Sequence, residues 1–531
     1  MDVTYVIAHD IGTSTHKCSL VALGDTAELM VSKINHYDLE VSSESGYVEQ
    51  DPNDWWKAIC KGSIEVLNET GVDKSRIKAI VFCAQMQGFV PVDKEGKHLR
   101  QAINFLDGRA NAQIERNLYK GLIKINGWNA YKTLRSLYIS GGLNATPKDP
   151  LWKYHWMRDN EPDKFERMYK WLDVKDYIIQ RCTGRFCCTM DSANLTFLFD
   201  TRKGKYKWDN GLCSLFGVDS NHLPEVVHAS DIAGTLTANA AAEMGLLEGT
   251  PVIAGGGDAS LIPIGAGCTE VEQIHIYIGT SGWVSSVQQR RKLDIDNFIA
   301  SIVGAIPEHY NYIAEQETAG ICLQWVKDNL LRLDSNEDLS YRESDAIFKS
   351  EQFYQYLEKC LENTAPGADG ILFTPWLQGN RAPREDNFAR GMFFNIHLQT
   401  SKMEMIRAVM EGVAFHMRWM LEAMEQKTAR HSVIRLIGGG ATPAWGQILA
   451  DVTGRTIEIV ANPQSGGTIG AALVAGVGLG IYPSLGSVGK RIQITHRLQA
   501  RTEFRETYDR SFKAFKMLYD GNKKIFRGLN A

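Results

Sequence analysis

The sequence predicts an α/β protein of two domains, each built around strands that run into glycine-rich loops, and three observations carry that reading. First, 531 residues exceed what a single hydrophobic core ordinarily encloses. Second, the chain repeats itself: the apolar run 3–8 leads into Asp10-Ile11-Gly12-Thr13-Ser14-Thr15, and Ile274–Ile278 leads into Gly279-Thr280-Ser281-Gly282, with Gly279 following Gly12 by 267 residues, close to half of the length. Third, the run Pro251–Gly257 is a short apolar strand ending in three glycines that deliver Asp258 between those two loops. A glycine loop after a strand lets backbone N–H groups and hydroxyls approach a phosphate, because no Cβ stands in the way. One carboxylate between two such loops points to phosphoryl transfer.

The bulk properties narrow the class. A hydrophobic content of 44% with 23% charged residues is ordinary globular composition. A net charge of −4, a pI near 6.4 and the lack of a long basic run give no support to nucleic-acid or membrane binding. The chain enters a strand at once without a cationic segment, so no secretory signal is expected, and the apolar stretch 471–479 is too short to cross a membrane. The ten cysteines include no C-x-x-C pair, and Cys187-Cys188 has no zinc-ligand partners at suitable spacing. They read as buried, reduced thiols of a cytoplasmic protein.

In chain order, residues 46–52, Gly-Tyr-Val-Glu-Gln-Asp-Pro, precede a helix expected to be capped by Asn53 or Asp54 and to run toward Leu67. Residues 77–83 form a continuous apolar run suited to a strand buried on both faces. It ends at Gln85-Met86-Gln87-Gly88, where an open α/β sheet binds ligands, and Gln87 is a better ligand candidate than the core-filling Met86. Asp107 and Arg109 have the spacing of a surface ion pair. Residues 110–200 read as mostly helical, with Trp152, Trp156, Trp171 and Leu172 on the core side, and 209–223 as a further helix. The domain division is expected at the turn near 249, giving domains 1–249 and 250–531. Beyond it, a strand at 311–316 precedes a helix holding Gln324 and Trp325, and 372–383 is irregular. A periodic helix surrounds 405–415, and a strand at 433–437 ends in Gly438-Gly439-Gly440. Thr442 and Pro443 then start a helix that buries Trp445, Ile448, Leu449 and Val452. Such a turn at a helix start suits a nucleotide. Tyr508, Phe512, Phe515 and Tyr519 stripe a final helix.

Taken together, these motifs resemble the FGGY family of carbohydrate kinases, on the actin-like ATPase (ribonuclease H-like) fold. The resemblance runs in order through Asp10-Ile-Gly-Thr-Ser, residues 46–52, Gln85-Met-Gln-Gly, Gly257-Asp258, Gly279-Thr-Ser-Gly, Pro375 to Arg381, Arg390-Gly391, the helix beginning Arg407-Ala-Val-Met-Glu-Gly, and Gly438-Gly-Gly-Ala with Trp445-Gly-Gln. It implies two domains with mixed five-stranded sheets flanked by helices and a cleft that closes on sugar and ATP. It implies Asp258 as general base and Asp10 as the carboxylate associated with Mg²⁺. Gly12, Thr13, Ser14, Lys17, Gly279, Thr280 and Ser281 would face the phosphates; Gln324, Gly439 and Gly440 would lie on the nucleotide side, and Met86, Gln87, Asp107 and Asp258 on the sugar side. The implied activity is ATP-dependent phosphorylation of a terminal hydroxyl of a pentulose, xylulose first, with ribulose, gluconate, glycerol and erythritol as alternatives. A homodimer is an open assembly, and a non-catalytic nucleotide switch on the same fold is the alternative from another class. Many xylulose kinases carry Met-His where this chain has Met86-Gln87, often an Asn at the position of Leu106, and commonly an Asn at the position of Ala259.

Overall fold

The computed structural model describes residues 3–42, 46–329 and 350–531. A first mixed sheet contains β1 (Thr4–Ile11), β2 (Thr15–Leu23), β3 (Ala27–His36), β4 (Ile77–Ala84), β5 (Ile232–Thr235) and β6 (Pro251–Gly257), in the spatial order β5-β6-β4-β1-β2-β3. A second contains β7 (Ile274–Ile278), β8 (Gly282–Gln288), β9 (Ala300–Val303), β10 (Tyr310–Gln316), β11 (Val433–Ile437), β12 (Thr456–Val460) and β13 (Ile494–Leu498), in the order β9-β10-β8-β7-β11-β12-β13. The repeat seen in the sequence is a repeat of topology. In the first sheet the antiparallel hairpin β1-β2 is extended by antiparallel β3 on one side and by parallel β4 and β6 on the other. In the second, β7-β8 is extended by antiparallel β10 and by parallel β11 and β12. Antiparallel edge strands β5, β9 and β13 widen these five-strand cores to six and seven strands.

The main helices are α1 (Pro52–Thr70), α2 (Pro150–Asn160), α3 (Val174–Thr183), α4 (Asp258–Gly265), α5 (Gly320–Asn329), α6 (Lys402–Met424), α7 (Pro443–Thr453), α8 (Gly466–Gly478) and α9 (Arg505–Asn530). Helices α1 and α3 cover one face of the first sheet, through residues such as Trp55, Ile59 and Ile178. Helices α5, α6, α7 and α9 cover one face of the second, where the stripe Tyr508, Phe512, Phe515 and Tyr519 is buried. Helix α4 lies between the sheets. Its Leu261 and Ile264 join α8 on the free face of the first sheet, while Ala259, Ile262 and Ala266 pack with Ile313 and Ile437 of the second.

Local chemistry sets the helix ends. Thr442 accepts from the Trp445 N–H at 3.2 Å and Pro443 occupies the first turn of α7, as expected. Helix α1 starts two residues earlier than a cap at Asn53 allows: Asp51 is its cap, accepting from the Asn53 N–H at 2.8 Å, with Pro52 in the first turn and Gly71 left-handed at its end. Other expectations are corrected. Trp171 and Leu172 lie in a short strand, Lys170–Leu172, paired with Val90–Val92, because the helix holding Trp152 and Trp156 ends at Asn160. The helix expected over 209–223 is only Asn210–Phe216, stopped by left-handed Gly217. All ten cysteines are free thiols and nine are buried, with Cys60 intermediate.

A division at 249/250 does not follow the sheets, since β6 lies beyond it and hydrogen-bonds to β4 inside the first sheet. The connection between sheets is α4 and the segment after it. Helix α8 comes from the second half of the chain yet packs on β1, β2 and β4. It reaches α4 at van der Waals distance: a Cβ on Gly470 would penetrate the Leu261 carbonyl oxygen, and one on Gly265 the carbonyl of Gly466. Only glycine permits this approach.

Replacing Gly470 with Ala is therefore expected to destabilise the protein by about 1–3 kcal/mol, the usual cost of overpacking a closed interior contact. A denaturant melt with an unchanged midpoint would show that the two helices are not locked together.

Candidate active site

The first hairpin loop is held by its carbonyls. Gly12 O accepts from the Tyr37 hydroxyl at 2.5 Å, Thr13 O from Gln50 Nε2 at 2.7 Å, and Ser14 O from the Tyr37 N–H at 3.2 Å. Thr15 O accepts from the Gly12 N–H at 2.8 Å and the Tyr37 hydroxyl at 3.1 Å. Every carbonyl from Gly12 to Thr15 is thus turned toward a donor in the domain, which removes the groups that would repel an anion. The second loop is built alike. Gly279 O accepts from the Gly320 N–H at 2.8 Å and Thr280 O from Ala319 and Ile321 at 3.0 and 3.2 Å, while Ser281 O accepts from Gly279 at 2.9 Å. At the third glycine turn, the Gly440 N–H donates to Ile278 O at 2.9 Å, joining this turn to the end of β7. Gly440 is buried against Ile278 and Trp445, whereas Gly439 is exposed with open space where a side chain would stand.

Two carboxylates converge on the junction of these loops. Asp258 is the first residue of α4, and its Oδ1 accepts from the Ala259 N–H at 2.7 Å. Enclosure by protein pushes its carboxyl up to about 7, and the charges of Asp10, Glu315 and Asp173 add to the shift against that one hydrogen bond. Asp10 sits near the end of β1, opposite Lys17 on β2. Burial raises its pKa too, partly offset by Lys17 and by a hydrogen bond from Cys83. Lys17 donates to the Gln464 carbonyl, and burial lowers its pKa although Asp10 pulls the other way. The first turn of α8 closes this corner, for a Cβ on Gly467 would collide with Asp10 Oδ2. The three glycines before Asp258 have separate tasks. Gly255 takes a φ of 66° at a break in the β6 register, Gly256 lies beside Asp191, and Gly257 abuts the Met86 sulfur.

Gln87, just beyond the end of β4, is in a left-handed conformation with φ 64°, an uncommon and strained state for a side-chain-bearing residue. Two residues that sequence reasoning missed hold it there. Asp173 accepts from the N–H groups of Gln87 at 3.0 Å, Gly88 at 2.8 Å and Val174 at 2.8 Å, so that it caps α3 and grips the turn together. Lys153, fully buried on α2, donates to Gln87 O at 3.1 Å and Asn104 O at 2.8 Å. Burial brings both toward neutrality: Asp173 is raised to about 7, with the Asp176 charge adding to it, and Lys153 is lowered to about 7 against the pull of Asp107 and Asp149. Asp191 Oδ2 accepts from the Gly257 N–H at 2.7 Å, fixing the backbone that delivers Asp258. An aspartate just before a helical pattern could have flagged Asp173 as a cap; nothing in a Trp-rich helix distinguishes Lys153 from a surface lysine.

Two expected site residues have their side chains engaged by partners other than Asp10 and Asp258. The Asp107–Arg109 pair is buried, not superficial: Arg109 donates from Nε at 2.9 Å and Nη2 at 2.7 Å, and the N–H groups of Val48 and Arg109 complete the carboxylate's partners at 2.5 and 2.9 Å. Despite burial, those donors hold Asp107 below the usual carboxylate range, and its oxygens are already engaged. Gln324 is exposed on α5 with its amide on the Asp328 carboxylate, at 2.8 and 2.9 Å. Among the described residues no cluster of three or more His, Cys, Asp or Glu is arranged to hold a metal, and no helix is long and apolar enough to cross a membrane.

Comparison with known proteins gives the architecture its relatives. The N-terminal domain model of the FGGY family of carbohydrate kinases matches residues 5–265, and its C-terminal domain model matches residues 274–479. A xylulose kinase of Staphylococcus epidermidis is 29% identical over 98% of this chain and 97% of its own, and a xylulose kinase of Bacillus subtilis is 27% identical over 99% of each. The crystal structure of gluconate kinase from Lactobacillus acidophilus superposes with a TM-score of 0.83, at 21% identity, over 99% of this chain and 100% of its own. With both family domains matched in order around the cluster of Asp10, Asp258 and the carbonyl-anchored loops, this chain belongs to the FGGY family of carbohydrate kinases.

Proposed function

We propose that the protein transfers the γ-phosphoryl group of ATP to a terminal hydroxyl of a pentulose, xylulose being the first candidate, with Asp258 as general base. The observation that carries this is the raised pKa of Asp258 at the start of α4, between two glycine hairpins whose carbonyls are tied back. Oδ1 is engaged by the Ala259 N–H, so Oδ2 is the oxygen that takes the proton from the acceptor hydroxyl. The hydroxyl oxygen bonds to the γ-phosphorus as the bond to the β–γ bridging oxygen breaks, and ADP leaves with that electron pair. Thr13, Ser14, Lys17, Thr280 and Ser281 bear on the phosphates, and Gly439 offers an open surface to the nucleoside, with Gly440 packing behind it. On the acceptor side, Met86 backs the strand that carries the base and Gln87 presents its amide.

The residues fit Mg²⁺ in the form it prefers, held by one or two carboxylates, water and phosphate oxygens. Asp10 would hold it through water, and a cation there would relieve the repulsion that the Asp10 charge exerts on Asp258. When bound, Mg²⁺ neutralises charge on the β- and γ-phosphates.

Replacing Asp258 with Asn is expected to lower kcat by roughly 10²–10⁴ while binding of a non-hydrolysable ATP analogue persists. Near-normal turnover would remove Asp258 as the base, and loss of analogue binding would give it a different task. The base acts ionised, so kcat/KM should rise with pH through an apparent pKa near 7 and then level off. Replacing Glu315 with Gln takes away one of the charges that raise it and should move the acid limb to lower pH; an unmoved limb would assign that limb to another group. In an ADP-release assay over ketopentoses, polyols and aldonates, D-xylulose should give the highest kcat/KM. A higher value for gluconate would transfer the assignment to the aldonate, and a blank panel would favour the nucleotide switch.

A further inference from the structure

Each residue of the segment 46–52 from Tyr47 onward has a defined place. The Tyr47 ring lies 3.8 Å from the Arg109 guanidinium, and Glu49 pairs with the same Arg109 at 2.6 Å. The Val48 N–H donates to Asp107, Asp51 caps α1 and Pro52 opens it. Gln50 is different, because its partners lie on two sides. Its Nε2 donates to Thr13 O in the first phosphate loop at 2.7 Å. Its Oε1 accepts from Gln85 Nε2 at 2.8 Å and Asn104 Nδ2 at 2.8 Å. Asn104 Nδ2 also donates to Gln85 Oε1 at 3.2 Å. The Asn104 carbonyl accepts from Lys153, whose ammonium group also holds Gln87 O.

The orientation of these amides is dictated by their ends. A carbonyl can only accept, so Gln50 must turn Nε2 toward Thr13 and therefore Oε1 toward Gln85 and Asn104. All four side chains are at least nine-tenths buried: Gln50 is 1% exposed, Gln85 6%, Asn104 4% and Lys153 0%. Water cannot readily substitute for a lost partner there, and a displaced donor at one end leaves an unpaired buried group at the other. The connection also has a backbone branch, since the Gln85 N–H donates to Ile11 O at 2.8 Å.

We propose that Gln50 is a positioning residue that couples the acceptor turn at Gln85–Gly88 to the first phosphate loop, so that occupying the nucleotide site tightens the turn that meets the acceptor. The inference rests on the reading of the glycine loops as phosphate loops. The strained Gln87 backbone is the element with something to gain, being held only while Lys153 and Asp173 keep their grip. Thr13 O is the contact through which a phosphate-induced shift of the loop reaches that grip.

Amide hydrogen exchange on the full chain, with a non-hydrolysable ATP analogue and no sugar, tests this without depending on which acceptor is correct. In the wild-type protein the analogue should slow exchange in peptides covering 12–15 and 279–282 and, through the relay, in the peptide covering 85–88 by at least about fivefold, the low end of ordinary coupling between sites. Gln50→Glu keeps the size and an acceptor toward Gln85 and Asn104 but has no donor for Thr13. It should lose the protection at 85–88 while keeping that at 279–282. Asn104→Asp cuts the connection from the other end, where it gives up the donor to Gln50 and Gln85, and should give the same pattern if Gln50→Glu proves unstable in a thermal melt. Equal protection of 85–88 in wild type and variants, or none in the wild type while both glycine loops are protected, overturns the relay. No protection at either glycine loop overturns the nucleotide reading itself, and the relay with it.

Discussion

The contact on which the rest depends is the backbone approach of α4 to α8. Two helices that meet through Gly265, Gly466 and Gly470 come closer than side chains would allow, the last residue of α4 lying against the first of α8. The first residue of α4 is Asp258, and the first turn of α8 brings Gly467 against Asp10. Each of these carboxylates thus lies at the first turn of a helix, where the positive end of the backbone dipole favours negative charge. Separating the helices by one methyl group would shift Asp258 relative to the Gly467 turn that packs on Asp10.

This arrangement concentrates carboxylates where their mutual repulsion is greatest. Asp10, Asp258, Asp173 and Glu315 lie near enough to one another for their charges to raise Asp258, and burial acts in the same direction. A protein that needed only stability would not gather them so. The compensation available within the chain is partial, with Lys17 opposite Asp10 and Arg381 paired with Glu315. Such a cluster carries an electrostatic cost, and a cation with a polyphosphate is the kind of ligand that offsets it.

The frame was legible in the sequence because it repeats. The Ile-Gly-Thr-Ser core at both hairpins located the two loops, and Thr442-Pro443 located a helix start through chemistry confined to a few neighbouring residues. Asp107 was not legible in the same way: spacing to Arg109 shows a pair but not its depth, and only the fold buries it under Tyr47 and Val48. The contact of Gln324 with Asp328 was hidden for a similar reason, since a position on a helix does not say which neighbour will claim the amide. Lys153 and Asp173 were invisible as site residues because their partners are backbone groups of a turn distant in sequence. The division expected at 249 does not coincide with the sheets, because a turn marks a change of direction whereas sheet membership is decided by β6 pairing with β4.

The position of α8 has a consequence for the order in which the chain can mature. A strand that completes the first sheet ends at Gly257, but the helix that covers its inner face spans Gly466–Gly478. During synthesis, the apolar surface formed by Val6, Ala8, Val21 and Val81 has no native cover until most of the polypeptide has left the ribosome. The first half is in that sense an unfinished product awaiting a late part, and the protein's two similar sheets are made as a single interlocked object rather than as two modules joined in line.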